Sequence, residues 1–529
     1  MRAKGAPKRK PSPRVEPLED RTLLSSLTLS IAASSIVENA GPAATTGTVT
    51  RVGADNTVPM TVSLSSSDTS KAAVPASVVI PANQTSATFN IDAVDQDLVA
   101  GDETVTISAS GQVPSSLSLD STFGSGGVVS QAANTTALAL QSDGKIITIY
   151  GGSALYVSRY NTDGSIDTSF GGTGTVSVDA SGASSDQAEA VAIQADGKIV
   201  VGGIGGPGPH FNFILARFNS DGTLDTTFGN GGSELSVLSN GYYNELWDLA
   251  IQSDGHILAV GNVDYTQSGG GFDLAVVRYN SNGALDTTFG SNGVAGVVPN
   301  HGGRAFGVAQ QANGDIVIAG EDGGGNSYSE FAVARFTPTG QLDSTFGTGG
   351  KVLTDIPGDY EQGQDVTIQP DGKLIVVGQV GQTGVFPPKY DVAMARYNTD
   401  GSLDTSFGSS GIVVTTEGGV YSRMGVALQG TGQIIVSGNN GTKAGLLRYN
   451  PDGSLDTSNF TSSSGTAGFD TLVQPDGLIL LIGANGPYNG FLERYVGDTV
   501  LPASATLTVT SDESNSAPVL PAYIPLPTA

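Results

Sequence analysis

Between residues 117 and 497 apolar residues fall at alternate positions in short runs, and each run ends in a polar, glycine-bearing turn. Alternation with a period of two predicts strands that bury one face. In one stretch, Ala190 to Gln194, Lys198 to Gly202 and Phe213 to Phe218 read as three successive strands, with the tight turn Ala195-Asp196-Gly197 between the first two. A short outer strand is expected near Glu234 to Leu238. No stretch carries a helical period, so the chain reads as all-β.

The pattern recurs. Leu224-Asp225-Thr226-Thr227-Phe228-Gly229 returns in close variants starting at Leu119, Ile166, Leu285, Leu342, Leu403 and Leu455. The aromatic members are Phe123, Phe170, Phe228, Phe289, Phe346, Phe407 and Phe460, spaced 47, 58, 61, 57, 61 and 53 residues apart. Two further signatures keep step. A Gln-x-Asp-Gly or similar turn begins at Gln141, Gln194, Gln252, Gln311, Gln369, Gln429 and Gln474, and an arginine followed by an aromatic ring stands at Arg159, Arg217, Arg278, Arg335, Arg396, Arg448 and Arg494. Four short strands per unit at such a period describe the blades of a β-propeller, with kelch-type repeats of about 50 residues as the nearest common pattern. Seven units predict seven blades.

The array begins with a repeat loop and an outer strand, Val128 to Ser130, and ends with a third strand, Phe491 to Tyr495. The first residues are therefore expected to supply the last blade's missing outer strand and close the ring without a bare sheet edge. Arg159, Arg217, Arg278, Arg335, Arg396 and Arg448 each precede a loop aspartate, namely Asp167, Asp225, Asp286, Asp343, Asp404 and Asp456, while Arg494 would meet Asp120 through the closure. Seven copies of one pair predict an architectural clamp in each blade.

The patterns Q-x-D-G-K-I and R-Y-N-x-D-G-x-L-D-x-x-F-G resemble the delta-60 repeat family, and that resemblance, spanning roughly residues 117 to 497, implies a β-propeller but no reaction. Before it, residues 27 to 111 turn Ser-, Thr- and Val-rich, with strands expected at Leu27 to Ile31, Gly47 to Val52, Pro59 to Leu64, Ala76 to Ile80, Ser86 to Ala93 and Thr104 to Ser108. Six such strands describe an Ig-like β-sandwich that lacks one. Ile36-Val37-Glu38-Asn39-Ala40-Gly41 and the stretch from Asp95 through Gly101-Asp102-Glu103 resemble a Calx-β domain. Residues 503 to 511, including Ala505-Thr506-Leu507-Thr508-Val509, resemble the final strand of such a domain. The propeller is therefore expected to be inserted in the last sandwich hairpin, with an independent strand or tail as the alternative. Residues 514 to 529, which carry several prolines, read as an extended tail.

Composition then narrows the chemistry. Among 529 residues, 74 are Gly, only 14% are charged, and the net charge is −26. That balance argues against nucleic acid and anionic membrane surfaces and is compatible with cations or basic partners. The absence of cysteine excludes disulfides and thiolate chemistry. Three histidines, His210, His256 and His301, leave little material for general-base work and read as loop residues. Residues 1 to 14 hold six basic residues and no acid. The following Glu16-Pro17-Leu18-Glu19-Asp20-Arg21-Thr22-Leu23-Leu24-Ser25 resembles the L-E-x-R-x-L-L-S motif of planctomycete surface proteins, which implies export to the cell surface or medium; otherwise residues 1 to 26 are a disordered basic tail. No apolar run reaches membrane-spanning length.

Three places could carry chemistry. The Calx-β resemblance implies a calcium site from Glu38, Asp95, Asp97, Asp102, Asp512 and Glu513, the alternative being solvated turn acids. Hard oxygen ligands from separate loops suit Ca²⁺. The repeated Asn161-x-Asp163-Gly164 loop also places oxygens around a glycine, but a tight turn explains it better, since Thr337-Pro338-Thr339-Gly340 replaces it in one copy. Thirdly, the loops of variable length fall on one face and carry Tyr242, Tyr243, Trp247, Tyr265, Tyr328, Tyr360, Phe386, Tyr390 and Tyr421, an aromatic set suited to recognition or to local packing. The expected function is an exported, non-enzymatic surface protein that binds a protein or carbohydrate at the cell envelope. The alternatives are a hydrolase or lyase acting on extracellular polysaccharide, for which Asp248, Glu361 and Asp365 are the nearest acids, and a purely structural envelope component.

Overall fold

The computed structural model describes residues 26–510, apart from 53–58, 95–101, 114–116, 184, 207–210, 240–242, 265–271, 298–301, 324–328, 359, 383–388, 420–422, 440–442, 463–464 and 498. The chain divides into two compact units, the described part of 1–113 with 500–510, and residues 114–499.

The first unit has two sheets. One runs in the order Ser26–Ile31, Thr45–Val52, Ser86–Ala93 and Ala72–Ala73, the other in the order Ser35–Val37, Thr499–Thr510, Glu103–Val113, Met60–Ser66 and Ser77–Ile80. Alternation dictates the faces: in Met60–Ser66 residues Met60, Val62 and Leu64 are buried while Thr61, Ser63 and Ser65 are exposed. Leu27, Val49, Phe89 and Ile91 of one sheet share an apolar core with Val62, Ile107, Leu507 and Val509 of the other. Thr499–Thr510 thus lies beside Glu103–Val113, although some 385 residues separate them along the chain. Ser35–Val37, Ala72–Ala73 and the short 3-10 turn Glu38–Ala40 are additions to the expected strands; each is too short to show a period.

The second unit is a β-propeller built from seven sheets. Their innermost strands are Ala137–Leu140, Gln187–Ile193, Glu245–Ile251, Gly303–Gln310, Tyr360–Ile368, Val426–Leu428 and Ala467–Val473. Every sheet is an antiparallel meander, and Val128–Gln131 pairs with Gly490–Val496, so the start of the unit supplies the outer strand of the last sheet. Consecutive sheets are joined by apolar clusters in cyclic order. Phe170 shares one with Phe218, Phe228 with Tyr279, Phe289 with Phe336, Phe346 with Tyr397 and Phe407 with Tyr449. Leu446 and Tyr495 share the next, and Phe123, Tyr160 and Leu480 share the one that returns to the first sheet. The Phe of each of the six regular repeat loops therefore packs with the aromatic residue that follows the arginine of the next unit. Each buried ring is worth about 1.5–3 kcal/mol.

One repeat departs from expectation. Leu455 was expected to open a loop like the others, but Leu455–Ser462 is a strand running straight from the turn, with a register shift between Leu447 and Tyr449. In the six regular copies the residue after Phe is a glycine with φ between +50° and +56°, and a Cβ at Gly229 would stand 2.4 Å from Ser233 O. Here the residue after Phe460 is Thr461, which disfavours that left-handed conformation.

The seven arginine–aspartate pairs are all formed. Nε of Arg159, Arg217, Arg278, Arg335, Arg396, Arg448 and Arg494 lies 2.7–2.9 Å from Oδ2 of Asp167, Asp225, Asp286, Asp343, Asp404, Asp456 and Asp120 respectively. The guanidinium groups do more than close their own unit. Arg278 Nη1 donates to Pro338 O at 2.7 Å in the following sheet's turn, and its plane lies 4.5 Å from the centroid of Phe289. Arg159, Arg217 and Arg494 reach Ser220 O, Ser281 O and Thr162 O in the same way. Turn lysines join them: Lys145, Lys198 and Lys373 meet Asp167, Asp225 and Asp404 at 2.8–3.0 Å, and His256 occupies the corresponding position 3.7 Å from Asp286. Hydrogen bonds from Lys373 and Ser406, with the charge of Arg396, hold the Asp404 carboxyl well below the usual carboxylate range.

Candidate functional site

The Gln-x-Asp-Gly turn fixes the register of every innermost strand, so positions can be counted back from its glutamine. Five residues before it stand Thr136, Glu189, Trp247, Phe306, Gln364, Met424 and Phe469; four before it stand Ala137, Ala190, Asp248, Gly307, Asp365, Gly425 and Asp470. In five strands the register shifts between the neighbours of the first group, as at Leu246/Asp248 and Gly363/Asp365. Such a bulge re-aims one side chain. The re-aimed residues Glu189, Trp247, Phe306, Gln364 and Phe469 all line one cavity of about 260 Å³, to which all seven sheets contribute.

The second group supplies three carboxylates, from alternate sheets. Asp248 Oδ1 accepts from Leu249 N at 2.7 Å and its Oδ2 from Val308 N of the next sheet at 2.9 Å. Asp365 repeats this with Val366 N at 2.7 Å and Val426 N at 2.8 Å, and Asp470 with Thr471 N at 2.8 Å and Leu138 N at 3.2 Å. Each is a staple from one innermost strand to the next. The glycines make room: a Cβ at Gly425 would lie 2.8 Å from Asp470 Oδ1, and one at Gly307 would lie 2.8 Å from Asp365 Cα. Three staples span three of the seven junctions, and the junction between the first and second sheets is one of the four without an aspartate. There Thr136 Oγ1 donates to Ala188 O at 2.7 Å.

Although partly open to the cavity, these carboxyls are enclosed by protein. Burial pushes Asp248 up to about 7 and Asp470 up to about 6. Asp365 is raised well above the usual range by burial, reinforced by the nearby Asp248 carboxylate. Low polarity penalises the charged form.

The remaining wall is polar and aromatic. Trp247 lies 5.5 Å from Phe306, centroid to centroid, and its Nε1 donates to Asn262 Oδ1 at 3.1 Å. Gln364 Nε2 donates to Gln362 Oε1 at 2.9 Å, and Gln362 Nε2 to Glu321 Oε2 at 3.1 Å. Arg423, just ahead of the sixth innermost strand, reaches the second and third sheets. Its Nη1 donates to Glu189 Oε2 at 2.5 Å, its Nη2 to Trp247 O at 3.3 Å, and its guanidinium lies 5.4 Å from the Trp247 ring centroid.

The expected aromatic set divides. Trp247 lines the cavity; Tyr360 and Tyr390 pack edge-on at 6.0 Å, and Tyr243 packs 5.8 Å from Phe211. Tyr242, Tyr265, Tyr328, Phe386 and Tyr421, like His210 and His301, lie outside the described residues. Of the three acids considered for catalysis, Asp248 and Asp365 line the cavity and Glu361 does not. Glu361 is buried, accepts from Ile356 N at 2.9 Å, and is pushed up to about 8 by burial. Asp470, Glu189 and Arg423 were not singled out in the sequence. Asp470 was legible as the third aspartate four residues before a turn glutamine; Arg423 carries no repeat signal.

Of the six acids considered for calcium, Glu38 is buried in its 3-10 turn and Asp102 is exposed, while Asp95, Asp97, Asp512 and Glu513 lie outside the described residues. Among the described residues no group of three or more His, Cys, Asp or Glu is placed to hold a metal ion. In the repeated turns the aspartate is used locally: Asp163 Oδ1 accepts from Ser165 N at 2.9 Å and Ser165 Oγ at 2.6 Å. Among the described residues no helix is long and apolar enough to cross a membrane.

A family model described as a domain of unknown function (DUF5122) beta-propeller matches residues 141–170, 194–228, 252–289, 311–346, 369–407 and 429–458. No curated protein sequence matches the chain. Among solved structures, the chain is similar to the WD40 beta propeller domain of Doa1 (10% identity, 69% of this chain and 93% of that one, TM-score 0.41). It is also similar to the polysaccharide lyase Uly1 (14%, 68% and 89%, 0.40) and to the gluconolactonase XC5397 of Xanthomonas campestris (15%, 72% and 97%, 0.33).

Proposed function

We propose that this chain is an exported, non-enzymatic binding protein: a seven-bladed propeller of delta-60 type, inserted in the last hairpin of a Calx-β-like sandwich, that takes its ligand in the cavity on the ring axis. The observation that carries this reading is the division of labour in the cavity wall. Trp247, Phe306, Phe469, Gln364 and Glu189 are re-aimed into the cavity by strand bulges, whereas both oxygens of Asp248, Asp365 and Asp470 are engaged by backbone amides. An aromatic wall with a few convergent polar groups is the usual composition of a small-molecule or glycan pocket. A ligand presented at the cell envelope fits the exported reading of the N-terminal stretch, for which fractionation of the producing cells is the direct check.

A second reading, a polysaccharide hydrolase or lyase, draws on the convergence of Asp248, Asp365 and Asp470. Their amide bonds count against it, because each oxygen is already fixed to the backbone and hydrogen bonds to the carboxylate lower its basicity.

Trp247 is the one tryptophan in 529 residues, so its fluorescence reports on this cavity alone. Titration with envelope oligosaccharides is expected to give a saturable change that Phe306→Ala abolishes, with the oligosaccharides recovered intact by mass spectrometry. Cleaved products lost in Asp365→Asn would establish the enzymatic reading instead; no change with any ligand would end the assignment of the cavity. Calcium belongs to the sandwich in this proposal. A Tm equal in calcium and in chelator would remove it.

A further inference from the structure

Arg423 sits in the cavity as a ligand would. Its guanidinium is stacked over the Trp247 ring at 5.4 Å, paired with Glu189 at 2.5 Å and bonded to the Trp247 carbonyl at 3.3 Å. These are the three elements that select a planar cation: an aromatic face, a carboxylate and a carbonyl acceptor. Glu189 is itself only 8% exposed, and it stands on a bulge that turns it inward. Arg423 belongs to none of the repeat signatures and follows the loop between the fifth and sixth sheets, so the ring does not require it to hold its strands together. The whole chain, at −26, draws cations toward the protein.

We propose that Glu189 and Trp247 form a subsite for a small alkylguanidinium or alkylammonium cation, and that Arg423 occupies it as a built-in plug which the ligand displaces. This deepens, and rests on, the reading of the cavity as the ligand site. The exchange is isosteric: one guanidinium leaves the ring and the carboxylate, and another takes its place, with no bond made or broken covalently. A plug of this kind scales apparent affinity down to the fraction of time the subsite stands free of it, so removing it strengthens binding of the external cation.

Replacing the plug is the test. Arg423→Ala and Arg423→Met, the second of which keeps an apolar stem against Trp247, are titrated with ethylguanidinium chloride, with sodium chloride at equal ionic strength as blank, and Trp247 fluorescence is read. The expected result is a saturable change in both variants, at least about tenfold tighter than in the unsubstituted protein. Adding Glu189→Gln should weaken it by about tenfold or more. Should Arg423→Ala fail to fold, the methionine variant alone decides. A response equal in the unsubstituted protein and the variants would show that Arg423 is no plug, and a response indifferent to Glu189→Gln would show that the carboxylate does not select the cation; either overturns the proposal. If oligosaccharide still changes the fluorescence while ethylguanidinium does not, the cation subsite falls and the cavity assignment stands.

Discussion

The propeller uses aspartates at its sheet junctions in two ways, directly on the inner strands and through an arginine at the repeat loops, and the two sets behave in opposite ways. At the repeat loops seven aspartates meet seven arginines, helped in places by a turn lysine, and charged donors keep Asp404 and Asp167 well below the usual carboxylate range. On the innermost strands three aspartates meet only backbone amides, and burial raises Asp248 to about 7 and Asp470 to about 6. At the loops the aspartate holds its own unit's arginine, which reaches the next sheet, whereas on the inner strands the aspartate itself spans to the next sheet. The difference lies in what surrounds it. A clamp that brings its own cations can be repeated in every unit, whereas three uncompensated carboxyls around one narrow axis repel one another, and spacing them on alternate sheets keeps them apart.

The largest test of this comparison is to open the ring at its closure. Arg494→Met removes the partner of Asp120 across the junction between the two ends of the propeller, and is expected to cost about 3–5 kcal/mol, seen as a fall in the denaturant midpoint. A loss below about 1 kcal/mol would make the clamp no better than a surface ion pair.

Next comes the room that the staples need. Gly425→Ala would place a methyl 2.8 Å from Asp470 Oδ1 and is expected to cost about 1–3 kcal/mol. In Asp470→Ala that substitution should cost less, so a double-mutant cycle separates a clash with the staple from a general backbone effect.

The pH dependence sharpens the contrast further. A carboxyl lowered in the folded state, such as Asp404, contributes stability that is present above the unfolded value of about 3.9 and is lost as pH falls through its folded value. One raised in the folded state, such as Asp248, contributes stability that is present below about 3.9 and is lost as pH rises toward about 7. Thermal melts of Asp404→Asn should therefore differ most from the unsubstituted protein at neutral pH and converge with it below pH 4. Those of Asp248→Asn, whose amide stays neutral at every pH, should lie closest to the unsubstituted protein near pH 4 and gain on it as pH rises to 8, where the buried carboxylate costs stability. Parallel curves for the two variants would mean that the inner carboxyls are ionised like the outer ones.

The smallest expected effect is at the junction between the first and second sheets. Thr136→Val deletes one hydroxyl bond to Ala188 O and should cost about 1 kcal/mol, less than the loss of an aspartate staple and its two amide bonds.

How much of this could be read from the chain follows from what repeats. Alternation gave the strands, and the in-phase Arg, Asp and Phe residues gave the clamps, because each lies within one unit and recurs in the next. The early strand Val128–Gln131 was readable as the last sheet's outer strand from phase alone. Local exceptions escaped: Leu455–Ser462 became a strand because one glycine is missing, a change of backbone freedom that a count of similar residues passes over. The cavity was half legible. Asp248, Asp365 and Trp247 were noted, but Glu361 was grouped with them, although it is buried against the connection from the preceding sheet, accepting a hydrogen bond from Ile356 N.

Sequence by itself determined the β class, the repeat, the clamp partners and the order in which the propeller ends meet, since all of these depend on periodicity and on residues a fixed distance apart. Only the tertiary structure decided which side chains share the axis. Strand bulges turn Glu189 and Trp247 toward the cavity, and Arg423 reaches them from 234 and 176 residues away. Direction at a bulge and proximity across a closed ring are set by backbone geometry, which no spacing in the chain encodes.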